Sequence, residues 1–272
     1  MDSRRHATGI ERIENAIVSA RKRRGLAVGP FLTAGYPDPD RFADLFRRIA
    51  LEADLVELGV PFSDPIADGP TIQRSSRAAL QSGITITWIL DLLRAVSPAT
   101  PILLMSYANP ILAYGIDRLA RDCAHAGVCG FIVPDLPFEE SDDLSRAAAQ
   151  HGLCVVRMVS PVTSDDRLRR MCSAAGGFIY TTTIRGTTGA RDAIDASVFS
   201  LLDRVRSCSR VPVLAGFGVR TPEDVARLQP YCDGVVVGSA LIEAMDGGVD
   251  PVEYLRRLIR LPEDAGQRGV LQ

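Results

Sequence analysis

The sequence predicts an α/β protein, a single (β/α)8 barrel with an extra N-terminal helix, forming one domain over residues 1–272. Short apolar runs alternate with amphipathic stretches along the whole chain, which is typical of parallel strands joined by helices. There are eight such runs, and eight strands close a barrel of this kind. No composition shift or Pro/Gly/Ser-rich linker divides the chain, so one domain is favoured. A doubly wound open sheet is the alternative on pattern alone.

The periodicity of the apolar residues places the elements. The predicted strands are Val28–Thr33, Leu55–Leu58, Ile102–Met105, Gly130–Val133, Cys154–Val159, Phe178–Thr182, Val211–Ala215 and Gly234–Val237. Helical spacing follows the first and fourth strands, at Phe42, Leu45, Phe46 and Ile49 and at Leu144, Ala147 and Ala148. Ahead of the first strand, Ile10, Ile13, Ile17 and Ala20 share one helical face. We expect this extra helix to cap the bottom of the barrel.

The composition argues against several classes of protein. Net charge is −2 and the only basic run is Arg21–Arg24, so nucleic-acid binding is not expected. No apolar stretch approaches the roughly 20 residues that span a bilayer, and the N-terminus has no signal-peptide pattern. The six cysteines are scattered without a C-x-x-C pair, which favours reduced, mostly buried thiols. We therefore expect a cytoplasmic protein without membrane contact.

A scarcity of lysine and histidine limits the chemistry. The single lysine, Lys22, precedes the first strand, so no strand-end lysine is available for a Schiff base. His125 and His151 fall in or after helices, towards the barrel bottom, and His6 is near the N-terminus, so no histidine cluster is expected to bind a metal. We expect neither a metal nor a cofactor. Catalysis by this protein would therefore depend on carboxylates.

The second strand carries a candidate catalytic carboxylate. Side chains alternate along a strand, so if Val56 and Leu58 face the helices, Glu57 points into the barrel near its mouth. Active sites of such barrels lie at the C-terminal ends of the strands. A buried carboxylate is costly unless it is hydrogen-bonded or used in catalysis. Glu57 is therefore either part of a structural network or poised for acid/base chemistry.

The loop after this strand, 59–70, is long and rich in turn signals. Asp64 precedes a proline and Asp68 precedes a glycine, and either aspartate could simply bond to its own backbone. Spacing alone does not decide which of the two is functional.

Glycine-rich loops follow the last three strands. They contain Gly186–Gly189, Gly216–Gly218 and the pair Gly238-Ser239, which opens a predicted helix. Glycines let a backbone approach a ligand closely, and helix N-termini favour anions. Barrels commonly bind phosphate after strands seven and eight. The pattern predicts a phosphorylated small molecule as substrate, although any single glycine could serve only a turn.

Several segments together resemble one family. The stretch from Val56 to Gln73, VELGVPFSDPIADGPTIQ, is similar to the signature of tryptophan synthase α subunits. Further similar segments are 31–37 (FLTAGYP), 105–110 (MSYANP), 134–137 (PDLP), 186–189 (GTTG) and 216–218 (GFG). The resemblance covers roughly residues 8–262, and its first segment is the most specific.

The resemblance implies a lyase of tryptophan biosynthesis that cleaves indole-3-glycerol phosphate to indole and glyceraldehyde 3-phosphate by a retro-aldol reaction. It implies that Glu57 is the acid/base carboxylate and that Asp68, not Asp64, stabilises positive charge on the indole nitrogen. The substrate-binding residues that it implies are Tyr180, Gly189, Phe217, Gly218, Gly238 and Ser239.

The resemblance also implies a partner, the tryptophan synthase β subunit, in an α2β2 heterotetramer. The residues that it assigns to the docking face are Asp64, Pro65, Asn109 and Pro137. A free-standing lyase, a non-catalytic allosteric partner and a phosphosugar isomerase are the alternatives. The segment Thr183–Ala193 is expected to be a mobile lid. Here Thr181–Thr183 and Thr187 depart from the usual residues of the family, which bears on lid ordering.

Overall fold

The structure, a computed structural model, describes residues 7–182, 196–216 and 218–260. Its centre is a sheet of nine parallel strands in the order β5-β4-β3-β2-β1-β9-β8-β7-β6. The strands are β1 (Ala27–Thr33), β2 (Val56–Gly59), β3 (Ile102–Met105), β4 (Val128–Ile132), β5 (Cys154–Val155), β6 (Arg157–Val159), β7 (Ile179–Thr181), β8 (Val213–Ala215) and β9 (Gly234–Val237). Each predicted strand is present within a few residues of its expected bounds.

The sheet closes through its two end strands. Only Val156 separates β5 from β6, so together they form the fifth barrel strand. The first half pairs with β4 and the second half with β7, which joins the two ends of the sheet. The predicted eight-stranded barrel is therefore confirmed, with its fifth strand interrupted at one residue.

Helices surround the strands in the order expected of such a barrel. They are α1 (Gly9–Arg24), α2 (Pro39–Glu52), α3 (Pro70–Gln81), α4 (Ile86–Val96), α5 (Ala108–Tyr114), α6 (Ile116–His125), α7 (Asp142–Gln150), α8 (Asp165–Ser173), α9 (Ala196–Cys208), α10 (Pro222–Leu228), α11 (Ser239–Asp246) and α12 (Pro251–Ile259). A 3-10 turn at Phe138–Glu140 precedes α7. The expected helices after the first and fourth strands are α2 and α7.

Alternation along the strands divides the core into two layers. On β2, Val56 and Leu58 join the cluster between the barrel and the helices. Leu55, just ahead of β2, joins the cluster inside the barrel, together with Phe31 and Leu103 of the neighbouring strands. Because side chains alternate along a strand, Glu57 lies on the interior face with Leu55. The predicted orientation of this strand is confirmed.

Helix α1 caps the bottom of the barrel, as expected. Ile13, Ile17 and Ala20 are fully buried and belong to the interior cluster. Thr8 and Glu11 form a capping box at the start of the helix, which satisfies N–H groups that have no partner within it.

The basic run at the end of α1 is tied to the barrel rather than simply solvated. Arg23 and Arg24 pair with Asp54, which also accepts a hydrogen bond from the Val28 backbone at 2.8 Å. Arg21 pairs with Asp233 at the start of β9. These ion pairs fix α1 to the N-terminal ends of the strands.

Two of the cysteines meet between helices. Cys172 on α8 and Cys208 at the end of α9 are neighbours, with Cα atoms 6.2 Å apart. The two residues are 36 positions apart in the sequence, and their pairing depends on the packing of α8 against α9. Cys123, Cys129, Cys154 and Cys232 are buried free thiols. Within the described ranges, no helix is long and apolar enough to cross a membrane.

Candidate active site

Glu57 lies at the centre of the candidate site. It is 0 % exposed and stands in register between Phe31 of β1 and Leu103 of β3. Neither of its carboxyl oxygens has a hydrogen-bond partner among the described residues. Loss of water around this carboxyl raises its pKa to about 8. The structural network that could have explained a buried glutamate is therefore absent from the described part of the barrel, and Glu57 can hold a proton at neutral pH.

Asp68 lies in the loop between β2 and α3, at the C-terminal end of the barrel. It is 9 % exposed, and burial raises its pKa to about 6 although a hydrogen bond from Tyr107 opposes the shift. The Tyr107 hydroxyl donates to Asp68 Oδ2 at 2.9 Å and accepts from the Ala67 backbone N–H at 3.0 Å. Tyr107 thereby fixes both the carboxylate and the backbone beside it.

Helix α3 holds the same loop from its other side. Ser76 Oγ accepts from the Phe62 backbone N–H at 2.8 Å and donates to the Phe62 carbonyl at 3.0 Å. Gln73 donates its side-chain amide to the Asp68 carbonyl oxygen at 2.9 Å. These bonds explain how a loop rich in turn residues presents one aspartate to the interior.

Tyr180 projects into the barrel from β7. It is buried, and its pKa is raised well above the usual value, first by burial and then by the charges of Glu57 and Asp68. Both carboxylates therefore lie within electrostatic range of the phenol. A Cβ on Gly216 would stand 2.4 Å from the Tyr180 hydroxyl oxygen, so only glycine fits there.

A pocket opens beside Asp68 at the barrel mouth. Asp68 and Tyr107 line it, and its remaining lining residues are Phe31, Thr33, Gly59, Val60, Pro65, Ile72, Ser76, Met105 and Ser106. Its walls are mostly apolar, with the Asp68 carboxyl group among them.

The predicted phosphate end is only partly described. Gly218 has φ +47°, a left-handed conformation that favours glycine, and a Cβ there would meet nothing within 4 Å. Gly238 is the N-cap of α11 and provides no side-chain cap, while the buried Ser239 Oγ has no hydrogen-bond partner among the described residues. These groups are available to an anion. Gly189, Phe217 and the expected lid Thr183–Ala193 lie outside the described residues.

The four residues expected at a partner interface lie in the connections that follow β2, β3 and β4, at the C-terminal end of the barrel. Asp64 and Pro65 follow β2, Asn109 lies at the start of α5 after β3, and Pro137 follows β4. Asp64, Asn109 and Pro137 are exposed, and Pro65 is half-buried. Because β2, β3 and β4 are neighbours in the sheet, these loops lie side by side.

The residues that sequence reasoning set aside lie away from the site. Lys22 lies near the end of α1, His125 ends α6 and His151 follows α7. Among the described residues, no group of three or more His, Cys, Asp and Glu side chains could hold a metal ion.

Two residues of the site were not assigned from the sequence. Tyr107 stands two residues after the end of β3, so the rule that barrel sites lie at strand C-termini could have singled it out. Phe31 carries no polar group, and its sequence pattern is that of any core phenylalanine. Its place beside Glu57 follows only from the register of β1 with β2.

Comparison with known proteins agrees with this geometry. A family model described as tryptophan synthase alpha chain matches residues 17–264. The tryptophan synthase alpha chain of Nitratidesulfovibrio vulgaris is 41 % identical over 248 residues, covering 90 % of this chain and 96 % of the relative. That of Carboxydothermus hydrogenoformans is also 41 % identical, over 243 residues, covering 88 % and 91 %.

Solved structures are similar to this chain as well. A structure of Mycobacterium tuberculosis tryptophan synthase superposes with a TM-score of 0.82 at 36 % identity, covering 94 % of this chain and 96 % of that one. The tryptophan synthase alpha chain of Legionella pneumophila gives 0.81 at 34 %, covering 91 % and 94 %. The chain belongs to the tryptophan synthase alpha chain family.

Proposed function

We propose that this chain is a lyase that cleaves indole-3-glycerol phosphate to indole and glyceraldehyde 3-phosphate, with Glu57 as the acid/base group. The observation that carries the proposal is the Glu57 carboxyl, fully buried at the inner face of β2 with no hydrogen-bond partner among the described residues. The raised pKa keeps this group protonated near neutral pH, as a proton donor requires.

The proton balance of the reaction fits one such carboxyl. Glu57 gives its proton to C3 of the indole ring, which turns the ring into an iminium-like electron sink. The resulting carboxylate then accepts the proton of the glycerol 3′-hydroxyl. The bond between indole C3 and the glycerol carbon breaks, its electron pair returns to the ring, and the hydroxyl carbon becomes the aldehyde. Glu57 ends the cycle protonated, so no lysine, metal or cofactor takes part.

Asp68 has the complementary role in this proposal. Positive charge develops on the indole nitrogen once C3 is protonated, and a nearby carboxylate stabilises it. The hydrogen bond from Tyr107 favours the charged form of Asp68, since it lowers the pKa of that carboxyl against the effect of burial. The two carboxyl groups therefore differ as the chemistry demands, with Glu57 protonated and Asp68 ionised near pH 7.

The substrate phosphate would bind at the opposite side of the mouth. The N-terminus of α11 at Gly238 has no side-chain cap, the buried Ser239 Oγ has no hydrogen-bond partner among the described residues, and the backbone at Gly218 is open. Tyr180 would line the indole side, between the two carboxylates. Gly189 and Phe217 complete the proposed substrate-binding set by resemblance alone.

The proposed partner is a tryptophan synthase β subunit, in an α2β2 heterotetramer. Two large apolar side chains near the proposed docking residues are exposed. They are Ile66, 77 % exposed on the loop that carries Asp64 and Pro65, and Leu112, 62 % exposed in α5, the helix that carries Asn109. Both are available for contact with a partner.

The decisive experiment measures indole release from indole-3-glycerol phosphate by the purified chain, with and without a β subunit. Release that rises when the β subunit is added supports the full proposal. Release without any response to the β subunit favours a free-standing lyase, and no release in either condition contradicts the catalytic role. Analytical ultracentrifugation of the mixture tests the α2β2 stoichiometry. One domain over 1–272 and a cytoplasmic location stay predictions, which limited proteolysis and cell fractionation would test.

A further inference from the structure

A second pocket lies on the outer side of the barrel, beside the fifth strand. It is lined by the loop 133–138 after β4, by Ser141 at the start of α7, by 155–158 of the fifth strand, and by Arg167 and Met171 of α8. None of these residues belongs to the carboxylate site described above. The pocket opens where β4 has ended and the fifth strand continues past it.

A buried arginine forms part of its wall. Arg157 begins β6 and is 8 % exposed, on the strand face opposite to its interior neighbours Val156 and Met158. Its guanidinium donates to Ser141 Oγ at 2.8 Å and to Ser145 Oγ at 3.1 Å, and its Cζ stands 5.0 Å from the centre of the Phe138 ring. Every one of these partners is uncharged.

Arg157 forms no ion pair within the described residues. No carboxylate reaches its guanidinium, and its buried Nε has no hydrogen-bond partner there. Burial lowers the pKa of this guanidinium, and only the through-space charges of Cys154 and Asp142 oppose that shift. An arginine remains charged in such surroundings, so the cost of burying it is only partly offset.

The other charged groups around the pocket already have partners. Arg167 forms two hydrogen bonds of 2.9 Å with Glu139, which also pairs with Arg170. Asp135 accepts a hydrogen bond from the Ala108 backbone N–H at 2.8 Å. Of the two arginines on this wall, Arg157 is therefore the one without an ion-pair partner among the described residues.

The start of α7 borders the pocket as well. Ser141 is the N-cap of this nine-residue helix, but its hydroxyl makes no capping bond. Instead it accepts from Arg157 and donates to the Phe138 carbonyl at 2.8 Å. The first turn of the helix carries Asp142 and Asp143, whose negative charges already suit the positive end of the helix dipole, so Arg157 is the group of this wall that attracts an anion.

We propose that this pocket is a second binding site, for a small oxyanion such as a phosphate or carboxylate, held by Arg157. Arginine suits this role because its planar fork of donors matches the oxygens of such anions. The bound anion would neutralise a buried charge next to the loop that carries Pro137, and so would stabilise the fold locally. The inference is independent of the reaction proposed for the main site.

Thermal unfolding in inorganic phosphate tests the site. Because phosphate could also bind at the main site, the parent protein carries Ser239→Asp, which repels anions there. Phosphate should raise the Tm of this parent by several degrees over sodium chloride of equal ionic strength. The added substitution Arg157→Met should remove that rise. The matched control, Arg170→Met, removes an exposed arginine from the same region and should keep it. An Arg157→Met protein that responds like its parent, or a parent without any response, overturns the proposal.

A second measurement does not require the Arg157 variant to fold. Crystals of the Ser239→Asp parent soaked in selenate should show an anomalous peak within hydrogen-bond distance of the Arg157 guanidinium. A peak there supports the site, and a map without one contradicts it.

Discussion

The Tyr107 hydroxyl stands 2.9 Å from Asp68 Oδ2 and joins two loops at the mouth of the barrel. It donates to the carboxylate while accepting from the Ala67 backbone, so one phenol fixes both the position and the charge of Asp68. Asp135, on the loop after β4, accepts from the backbone N–H of Ala108, the residue that follows Tyr107. Three consecutive βα loops are thereby connected, the first two through the Tyr107 side chain and the last two through that of Asp135.

Replacing Tyr107 with phenylalanine should raise the pKa of Asp68. In the unsubstituted chain this hydrogen bond stabilises the ionised carboxylate by an amount typical of a charged hydrogen bond. Its loss should therefore move the acid limb of the pH profile of kcat/KM up by about one pH unit. A pH profile of indole release measures this shift. The matched control is Tyr114→Phe, which removes a similar bond of 2.9 Å to Asp122 outside the site. Equal profiles for the two variants would contradict this role of Tyr107.

Replacing Glu57 with glutamine should remove cleavage while preserving binding. The amide keeps the shape of the side chain but cannot exchange the proton, and such groups typically contribute about 10² to 10⁴ in rate. Single-turnover kinetics with indole-3-glycerol phosphate gives the rate, and calorimetry with an indole propanol phosphate analogue gives the affinity. Turnover above a tenth of the original value would show that Glu57 is not the acid/base group.

The same substitution should change how stability depends on pH. Folded Glu57 keeps its proton up to about pH 8, whereas an unfolded glutamate loses it near 4.5, so the native state binds the extra proton between these values. The free energy of unfolding contributed by this group therefore falls as pH rises through that window. The free energy of unfolding of Glu57→Gln, measured relative to that of the unsubstituted chain, should therefore rise by roughly 3–5 kcal/mol between pH 4 and pH 9. Urea unfolding at several pH values checks this, and a constant difference would contradict the raised pKa.

The two aspartates of the loop after β2 should differ in their effects. Asp68 is buried in the pocket, so Asp68→Asn should lower kcat of the isolated chain by a factor on the order of 10² or more. Asp64 is exposed and its Oδ2 accepts from Ser63 at 2.5 Å, so Asp64→Asn should mainly weaken activation by the β subunit. Steady-state assays with and without that subunit separate the two. A larger loss in the isolated chain for Asp64→Asn would reverse the assignment.

A carboxylate at Ser239 should selectively weaken substrate binding. Ser239→Asp places negative charge at the N-terminus of α11, where the substrate phosphate is proposed to bind. KM should rise on the order of tenfold or more, which corresponds to about 1.4 kcal/mol of lost interaction. Ser207→Asp on the exposed side of α9 is the control and should leave KM unchanged. An unchanged KM for Ser239→Asp would place the phosphate elsewhere.

The sequence alone determined the order of strands and helices and their buried faces, because period-2 and period-3.6 patterns of apolar residues record which faces are buried. The strand bounds, the capping helix α1 and the inward direction of Glu57 all follow from those local patterns. The strand-end rule also placed Asp68 at the correct end of the barrel, but spacing could not separate it from Asp64.

Only the tertiary structure decided the rest, since those features depend on residues far apart in the chain. The choice of Asp68 depends on Tyr107, 39 positions away, and the raised pKa of Glu57 depends on burial within the closed barrel, beside Phe31 and Leu103. The Cys172–Cys208 pair depends on the packing of α8 against α9. The surroundings of the buried Arg157 depend on the packing of the start of α7 against the fifth strand. Local sequence fixes which face of an element is buried, whereas the closed fold decides what each buried group contacts.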